Sequence, residues 1–194
     1  SIYFGGGSPS LLPASFFHKV IKSVNDCFKL GNDIEITLEA NPNDLTLQNL
    51  KDLKKSGVNR ISIGVQSFHD YELKMMNRIH NSNQGLKAIE WTSKVFDNFS
   101  VDLIYGLPKS NISTWAHNLD ILTSFNPPHI SSYALTVEPK TVLFRQVDKG
   151  DIKLLDEEAV QLQYDLLTSR LEKEAYINYE FSNFGKIGFH SVNN

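Results

Sequence analysis

Five short β-rich runs recur between Ile2 and Leu135, and most are separated by a stretch with helical spacing of apolar residues. The runs cover residues 2–4, 34–39, 60–66, 99–105 and 129–135. Between them, 13–28 carries Phe16, Phe17, Val20, Ile21, Val24 and Phe28 at helical intervals. A helix opened by Thr46 carries Leu47, Leu50 and Leu53 and stops at Gly57. Residues 71–79, 84–96 and 113–125 read as further helices. Strands joined by helical crossovers pair in parallel with right-handed connections. The alternation therefore predicts an α/β fold built as a (β/α) barrel or part of one. Five strands do not close an eight-stranded barrel, so the expectation is a partial barrel, open on one side.

The pattern changes after Glu138-Pro139. Lys149-Gly150-Asp151 reads as a turn. Residues 156–175 form a long amphipathic helix with Val160, Tyr164, Leu167 and Leu171 on one face, and 179–184 reads as another strand. The division expected is a barrel over 1–138 and a C-terminal extension over 139–194.

Composition removes several function classes. A net charge of −3 and a pI near 6.1 offer no basic field for nucleic acid. No apolar run is long enough for a transmembrane segment, and the first residues do not resemble a signal peptide, which sets the expectation of a cytoplasmic protein. The single cysteine, Cys27, excludes an internal disulfide and a cysteine-based metal cluster built from this chain alone. Its place in the helical pattern predicts a buried position on the core face.

The polar residues collect at strand ends. The first strand stops at Gly5-Gly6-Gly7-Ser8, the second at Glu39 and the third at Gln66, while Asp102 lies within the fourth and should point into the barrel. Carboxyl ends of strands in such folds face one mouth, where ligands bind. Each residue alone also reads as a cap, an Asx turn or an ion pair; their recurrence at equivalent positions argues for a shared site. A buried Asp102 needs a partner, and Arg60 and Arg78 are the candidates. Bare glycine backbone at Gly6 and Gly7 meets an amino group through its carbonyls. Glu39 accepts from an ammonium or a ribose hydroxyl, Gln66 both donates and accepts, and Arg78 suits a carboxylate. That set fits a nucleoside bearing an amino acid better than a phosphate, and neither phosphate-binding glycine fingerprint is present.

Six motifs carry a family resemblance: 3–10 (Tyr-Phe-Gly-Gly-Gly-Ser-Pro-Ser), 39–42 (Glu-Ala-Asn-Pro), 60–68, 102–108, 129–139 and 179–184. In this order, over essentially the whole chain, they resemble radical S-adenosylmethionine proteins of the oxygen-independent coproporphyrinogen III oxidase family, and the shorter, heme-chaperone-type members most. The resemblance implies a radical S-adenosylmethionine barrel. It implies S-adenosylmethionine contacts at Gly6, Gly7, Ser8, Glu39, Gln66, Arg78 and Asp102, with Ala134 a weaker candidate. It further implies a [4Fe-4S] cluster whose electron cleaves the sulfonium to a 5′-deoxyadenosyl radical, a porphyrinogen or heme as the molecule handled, an electron donor and a heme-acceptor protein.

The family's Cys-x-x-x-Cys-x-x-Cys loop precedes the triple glycine and has no counterpart here. The chain therefore resembles a piece of a family member, expected to expose an unpaired strand edge and, alone, neither to hold the cluster stably nor to cleave S-adenosylmethionine. Lys186-Ile187-Gly188 and Asn193-Asn194 depart from the family's C-terminal turn and His-Asn pair, and Lys140 stands where a glycine is common. None of the six histidines has metal-ligand spacing; His129, opening a strand, is the least ordinary. Two other readings compete: a heme-binding carrier without radical turnover, and a metal-independent barrel enzyme acting on a sugar phosphate. The second expects a phosphate-cradling loop that Ser131-Ser132-Tyr133 does not supply.

Overall fold

The computed structural model describes residues 1–193. Five parallel strands run in sequence order, β1 (Ile2–Phe4), β2 (Ile36–Ala40), β3 (Arg60–Gln66), β4 (Phe99–Tyr105) and β5 (His129–Ala134). β6 (Ile177–Glu180) and β7 (Asn183–Gly185) form an antiparallel hairpin that adds β7 to β5, giving an open sheet of order β1-β2-β3-β4-β5-β7-β6. The predicted strand over 179–184 is thus two strands with a tight turn at Phe181-Ser182. β1 is an edge, paired with β2 alone among the described residues.

Parallel sheets covered on both faces read as continuous apolar runs. Here the central strands alternate instead. Ile36, Leu38, Ile61, Ile63, Val65, Phe99, Val101, Leu103 and Ile130 are buried in the core beneath the helices. The intervening positions are Thr37 and Glu39, Ser62 and Gly64, Ser100 and Asp102, and His129 and Ser131. Residues from β1 to β5 line one common cavity, so the sheet curves, with its apolar face outward and a polar lumen within. The expected partial barrel is what forms.

The helices between β1 and β5 are α1 (Ala14–Phe28), α2 (Leu47–Lys55), α3 (Asp70–Met75), α4 (Ser82–Ser93) and α5 (Ile112–Ser124); α6 (Val142–Asp148) and α7 (Glu157–Lys173) follow. Their starts are written locally. Thr46 Oγ1 accepts from the Asn49 N–H at 3.1 Å while Asn49 Oδ1 accepts from the Thr46 N–H at 2.8 Å, a reciprocal cap on α2. Asn81 and Asn111 cap α4 and α5 in the same way. α7 buries Leu167 and Leu171, with Val160 and Tyr164 packed against the core, as its periodicity predicts, and it lies against α5.

Three expectations need correction. Cys27 is exposed. α1 buries Phe17, whose ring meets Phe4 edge-on at 5.0 Å, and ten residues further on Cys27 has rotated roughly 80° away from that line. Phe16 and Phe28 on the same helix are 43% and 77% exposed, because α1 flanks the edge strand, where its main helical neighbour among the described residues is α2. The helix predicted over 71–79 stops at Met75; Asn77 adopts φ +55° and turns the chain. α6 is not expected from the sequence pattern, and it buries no residue.

Candidate active site at the mouth of the barrel

The lumen opens into a cavity of about 260 Å³ at the carboxyl ends of the strands. Its wall includes Gly7, Ser8, Glu39, Gln66, Arg78 and Asp102, six of the eight residues singled out by sequence. Gly6 enters through its backbone, donating its N–H to Glu39 Oε2 at 3.3 Å. Ala134 is not part of this wall; it is half-buried at the end of β5 and packs toward the core, while Tyr133 and Ser131 face the cavity. Tyr3, Arg60 and Ser62 also line it. Arg60 is already indicated by the sequence as a partner candidate for Asp102, whereas Tyr3 and Ser62 follow from the alternation of each strand and not from the triple glycine and polar strand ends.

The local backbone explains the placement. Gly6 and Gly7 hold φ of +75° and +59°, a region that favours glycine, and Gly7 contributes to the cavity wall. A Cβ on Gly5 would lie 2.9 Å from the Tyr3 ring and 3.1 Å from the Glu39 carboxyl, so that glycine permits the Tyr3–Glu39 contact, a hydrogen bond of 2.8 Å from the Tyr3 hydroxyl to Oε1. Gln66 adopts φ +70° at an irregularity between β3 and β4, costly for a residue with a side chain and found where a side chain must be aimed. Arg78 comes from the turn after α3, not from a helix. Among the described residues, neither the Gln66 amide nor the Arg78 guanidinium forms a hydrogen bond within the chain, so both retain their donors for a ligand.

Asp102 accepts from Ser62 Oγ at 3.1 and 3.0 Å and from Ser100 Oγ at 3.1 Å. Burial nonetheless outweighs these donors and the nearby Arg60 charge, pushing its carboxyl up to about 6. Of the two arginines considered as partners, neither makes a contact ion pair with it. Arg60 is buried, with its Nε 3.8 Å from Glu35 and without a hydrogen bond, and Arg78 acts on Asp102 at longer range. Desolvation lowers Arg78 from its ordinary value, and the carboxylate opposes that shift.

The lower end of the lumen is floored. Glu35, just before β2, accepts from the Val192 N–H at 3.2 Å and from Ser191 Oγ at 3.4 Å, tying the C-terminal segment across the opening. His129 is buried there, with its two ring nitrogens against Ser100 and Tyr179. That geometry leaves it no lone pair for iron, and no group of three metal-ligating side chains occurs among the described residues.

A second cleft of about 750 Å³ adjoins the first through Arg78. Met75, Met76, Ile104, Leu135, Val142 and Leu143 form the apolar part of its lining, and Lys74, Asn77, Arg78, Thr136, Thr141 and Gln146 form the polar part. Ile104 lies two residues beyond Asp102 on the same face of β4.

The profile of the Radical SAM superfamily matches residues 1–122. The heme chaperone HemW of Bacillus subtilis is 36% identical over 196 residues, covering all of this chain and 52% of that protein. The mitochondrial radical S-adenosyl methionine domain-containing protein 1 of Danio rerio is 36% identical over 187 residues, 96% of this chain and 42% of its own length. Among solved structures, the coproporphyrinogen III oxidase HemN from Escherichia coli superposes with a TM-score of 0.82 at 24% identity, covering 96% of this chain and 43% of that one. The chain spans about half the length of the curated relatives it matches.

Proposed function

The chain belongs to the Radical SAM superfamily, and on that premise we propose that its cavity binds S-adenosylmethionine and that the natural polypeptide containing it acts in heme or porphyrin metabolism. The observation that carries the first part is the convergence of Glu39, Gln66, Arg78, Asp102 and the Gly7 backbone on one polar cavity. Two carboxylates, an amide and a guanidinium match the ammonium, ribose hydroxyls and carboxylate of that molecule. In this reading Arg78 takes the carboxylate. Glu39, held by Tyr3 and the Gly6 N–H, and Asp102, held by two serines, accept from ribose hydroxyls or the ammonium. Gln66 bridges between them.

Membership of the superfamily also implies a [4Fe-4S] cluster, which would supply reducing electrons where it is bound. The described residues offer it no donor set: the one cysteine, Cys27, is exposed on α1, and no metal-ligating group is present among them. What this chain contributes is binding and orientation of the sulfonium compound by side chains fixed on the strand ends.

The heme assignment rests on relatives named as heme chaperones, supported by a wide cleft next to the cofactor cavity that pairs apolar side chains with the cations Lys74 and Arg78, a mixture suited to a flat apolar ring system bearing carboxylates. We favour heme handling, with transfer to an acceptor protein, over porphyrinogen oxidation, because two bacterial relatives at 36% identity are named heme chaperones while the oxidase is similar in fold at 24%. A carrier without radical turnover uses the same cleft and differs only in chemistry. The test is anaerobic reconstitution of the natural polypeptide containing this chain, followed by hemin titration and assay of 5′-deoxyadenosine release under reduction. Hemin binding with S-adenosylmethionine cleavage supports the proposal, and hemin binding without cleavage selects the carrier. Decarboxylation of coproporphyrinogen selects the oxidase. Binding of neither hemin nor S-adenosylmethionine overturns it.

A further inference from the structure

A line of hydrogen bonds runs from the β6–β7 hairpin to Asp102, and its direction can be worked out atom by atom. Asp102 Oδ1 lies 3.1 Å from Ser100 Oγ. A carboxylate only accepts, so the Ser100 hydroxyl proton points to it. The competing acceptor is Ser131 Oγ at 3.2 Å, and an ionised carboxylate attracts the proton more strongly than a neutral hydroxyl. Ser131 in turn donates to Asn183 Oδ1 at 2.8 Å. The Ser100 oxygen is therefore left to accept from His129 Nδ1 at 2.8 Å, which places a proton on Nδ1. His129 is buried beside Arg60 and His190, which lowers its pKa to about 3, so the ring is neutral and Nε2 carries a lone pair. That lone pair accepts the Tyr179 hydroxyl at 2.6 Å, and the Tyr179 oxygen accepts the Ser191 N–H at 3.0 Å. The His190 ring stacks on Tyr179 with centroids 4.3 Å apart.

We infer that Tyr179, His129 and Ser100 are positioning residues that act as a one-way hydrogen-bond relay, locking His129 as the Nδ1–H tautomer and thereby holding the Ser100 hydroxyl on Asp102 for a ligand hydroxyl or ammonium in the cavity. The ligand's identity rests on the S-adenosylmethionine reading; the relay itself does not. The mechanism is a competition for one proton. Without the Tyr179 hydroxyl, the Nδ1–H form loses the bond that holds it at Nε2 and rests on the Ser100–Asp102 side alone, so the fraction of rings protonated at Nε2 rises. In that fraction Nδ1 becomes an acceptor, the Ser100 hydroxyl turns to it, and Asp102 loses a donor. A hairpin remote from the mouth thus sets the proton affinity of a cavity carboxylate. Among the described residues, the charged and titratable groups around Asp102 include Arg60 from β3, Arg78 from the turn after α3, Glu39 from β2, Tyr3 from β1 and Tyr133 from β5; those around His129 include Arg60, His190 and Tyr179.

The test reads the tautomer and the carboxyl directly. Histidine ring ¹⁵N shifts and the ¹³C titration of Asp102 are recorded for the chain and for Tyr179→Phe and Ser100→Ala. The parent should show Nδ1–H at His129. Tyr179→Phe should shift the ring signals toward Nε2–H and move the Asp102 midpoint up, by at most roughly 0.5–1 pH unit, the worth of one hydrogen bond. Ser100→Ala should raise the same midpoint without the shift toward Nε2–H, because Tyr179 still donates to Nε2. A third variant, Tyr176→Phe, removes a buried tyrosine hydroxyl bonded to Pro127 O and should change neither signal. An Nε2–H tautomer in the parent protein, or Tyr179→Phe leaving both signals unmoved, overturns the relay. Failure of S-adenosylmethionine to bind any of these proteins would count against the proposed cofactor and leave the relay measurements standing.

Discussion

Replacing Asp102 by asparagine keeps the side chain's shape and removes its charge. In the folded chain the carboxyl titrates at about 6, against an ordinary 3.8, and burial is the leading cause. The folded state then binds more protons than the unfolded state between those two values, so stability falls as pH rises through the window. Above it, the ionised side chain costs about 3 kcal/mol relative to its protonated form, at ~1.4 kcal/mol for each pH unit that separates the folded from the unfolded midpoint. Asparagine cannot ionise, and its amide still offers Ser62 and Ser100 an acceptor and a donor. Asp102→Asn should therefore be more stable than the parent at pH 8, with an advantage that narrows by about 1.4 kcal/mol by pH 5 and disappears below the ordinary carboxylate range. Urea unfolding of both proteins at pH 5 and pH 8 measures this, and the pH dependence of the gap is independent of any constant cost of the substitution. A gap of constant size across that range would show that Asp102 titrates near its ordinary value, and the reasoning from burial would fail. The same variant should lose cofactor affinity, so stability and binding would move in opposite directions, as expected where a site stores a buried charge for its ligand.

Gly64→Ala places a Cβ 2.9 Å from Gln66 Nε2, the end of a flexible side chain, so the fold should survive within about 1 kcal/mol while S-adenosylmethionine affinity drops at least about tenfold by titration calorimetry. Thr46→Ala removes the reciprocal cap of α2 and should cost about 1 kcal/mol in chemical denaturation, with cofactor binding unchanged. Cys27→Ser should leave the urea midpoint within about 0.5 kcal/mol of the parent, because the thiol is exposed; a loss of several kcal/mol would instead indicate a buried thiol.

The strands are legible because β-branched and aromatic runs end on glycine, amide or acidic residues at nearly every strand boundary, and β3 and β4 fall on the residues expected. α6 is invisible to periodicity because it buries nothing and so has no apolar stripe to reveal it. The helix expected over 71–79 fails at Asn77, where an αL turn overrides a sequence with good helical spacing. Cys27 fails for a different reason. Spacing identifies a helix's apolar arc but not how much of that arc a neighbour covers, and at a sheet edge little is covered. At the site, Glu39, Gln66 and Asp102 stand out because polar residues are unexpected in a parallel sheet. Tyr3, Ser62 and Tyr133 need the strand register, and the relay through His129 and Tyr179 needs the hairpin that brings together residues 50 apart in sequence.

The most direct test of the central claim is an amide and side-chain NMR titration of this chain with S-adenosylmethionine, which detects weak binding and locates it. Shifts are expected at Gly7, Glu39, Gln66, Arg78 and Asp102, abolished by Glu39→Gln combined with Arg78→Gln. Shifts confined to another part of the surface, or none at millimolar ligand, would contradict it.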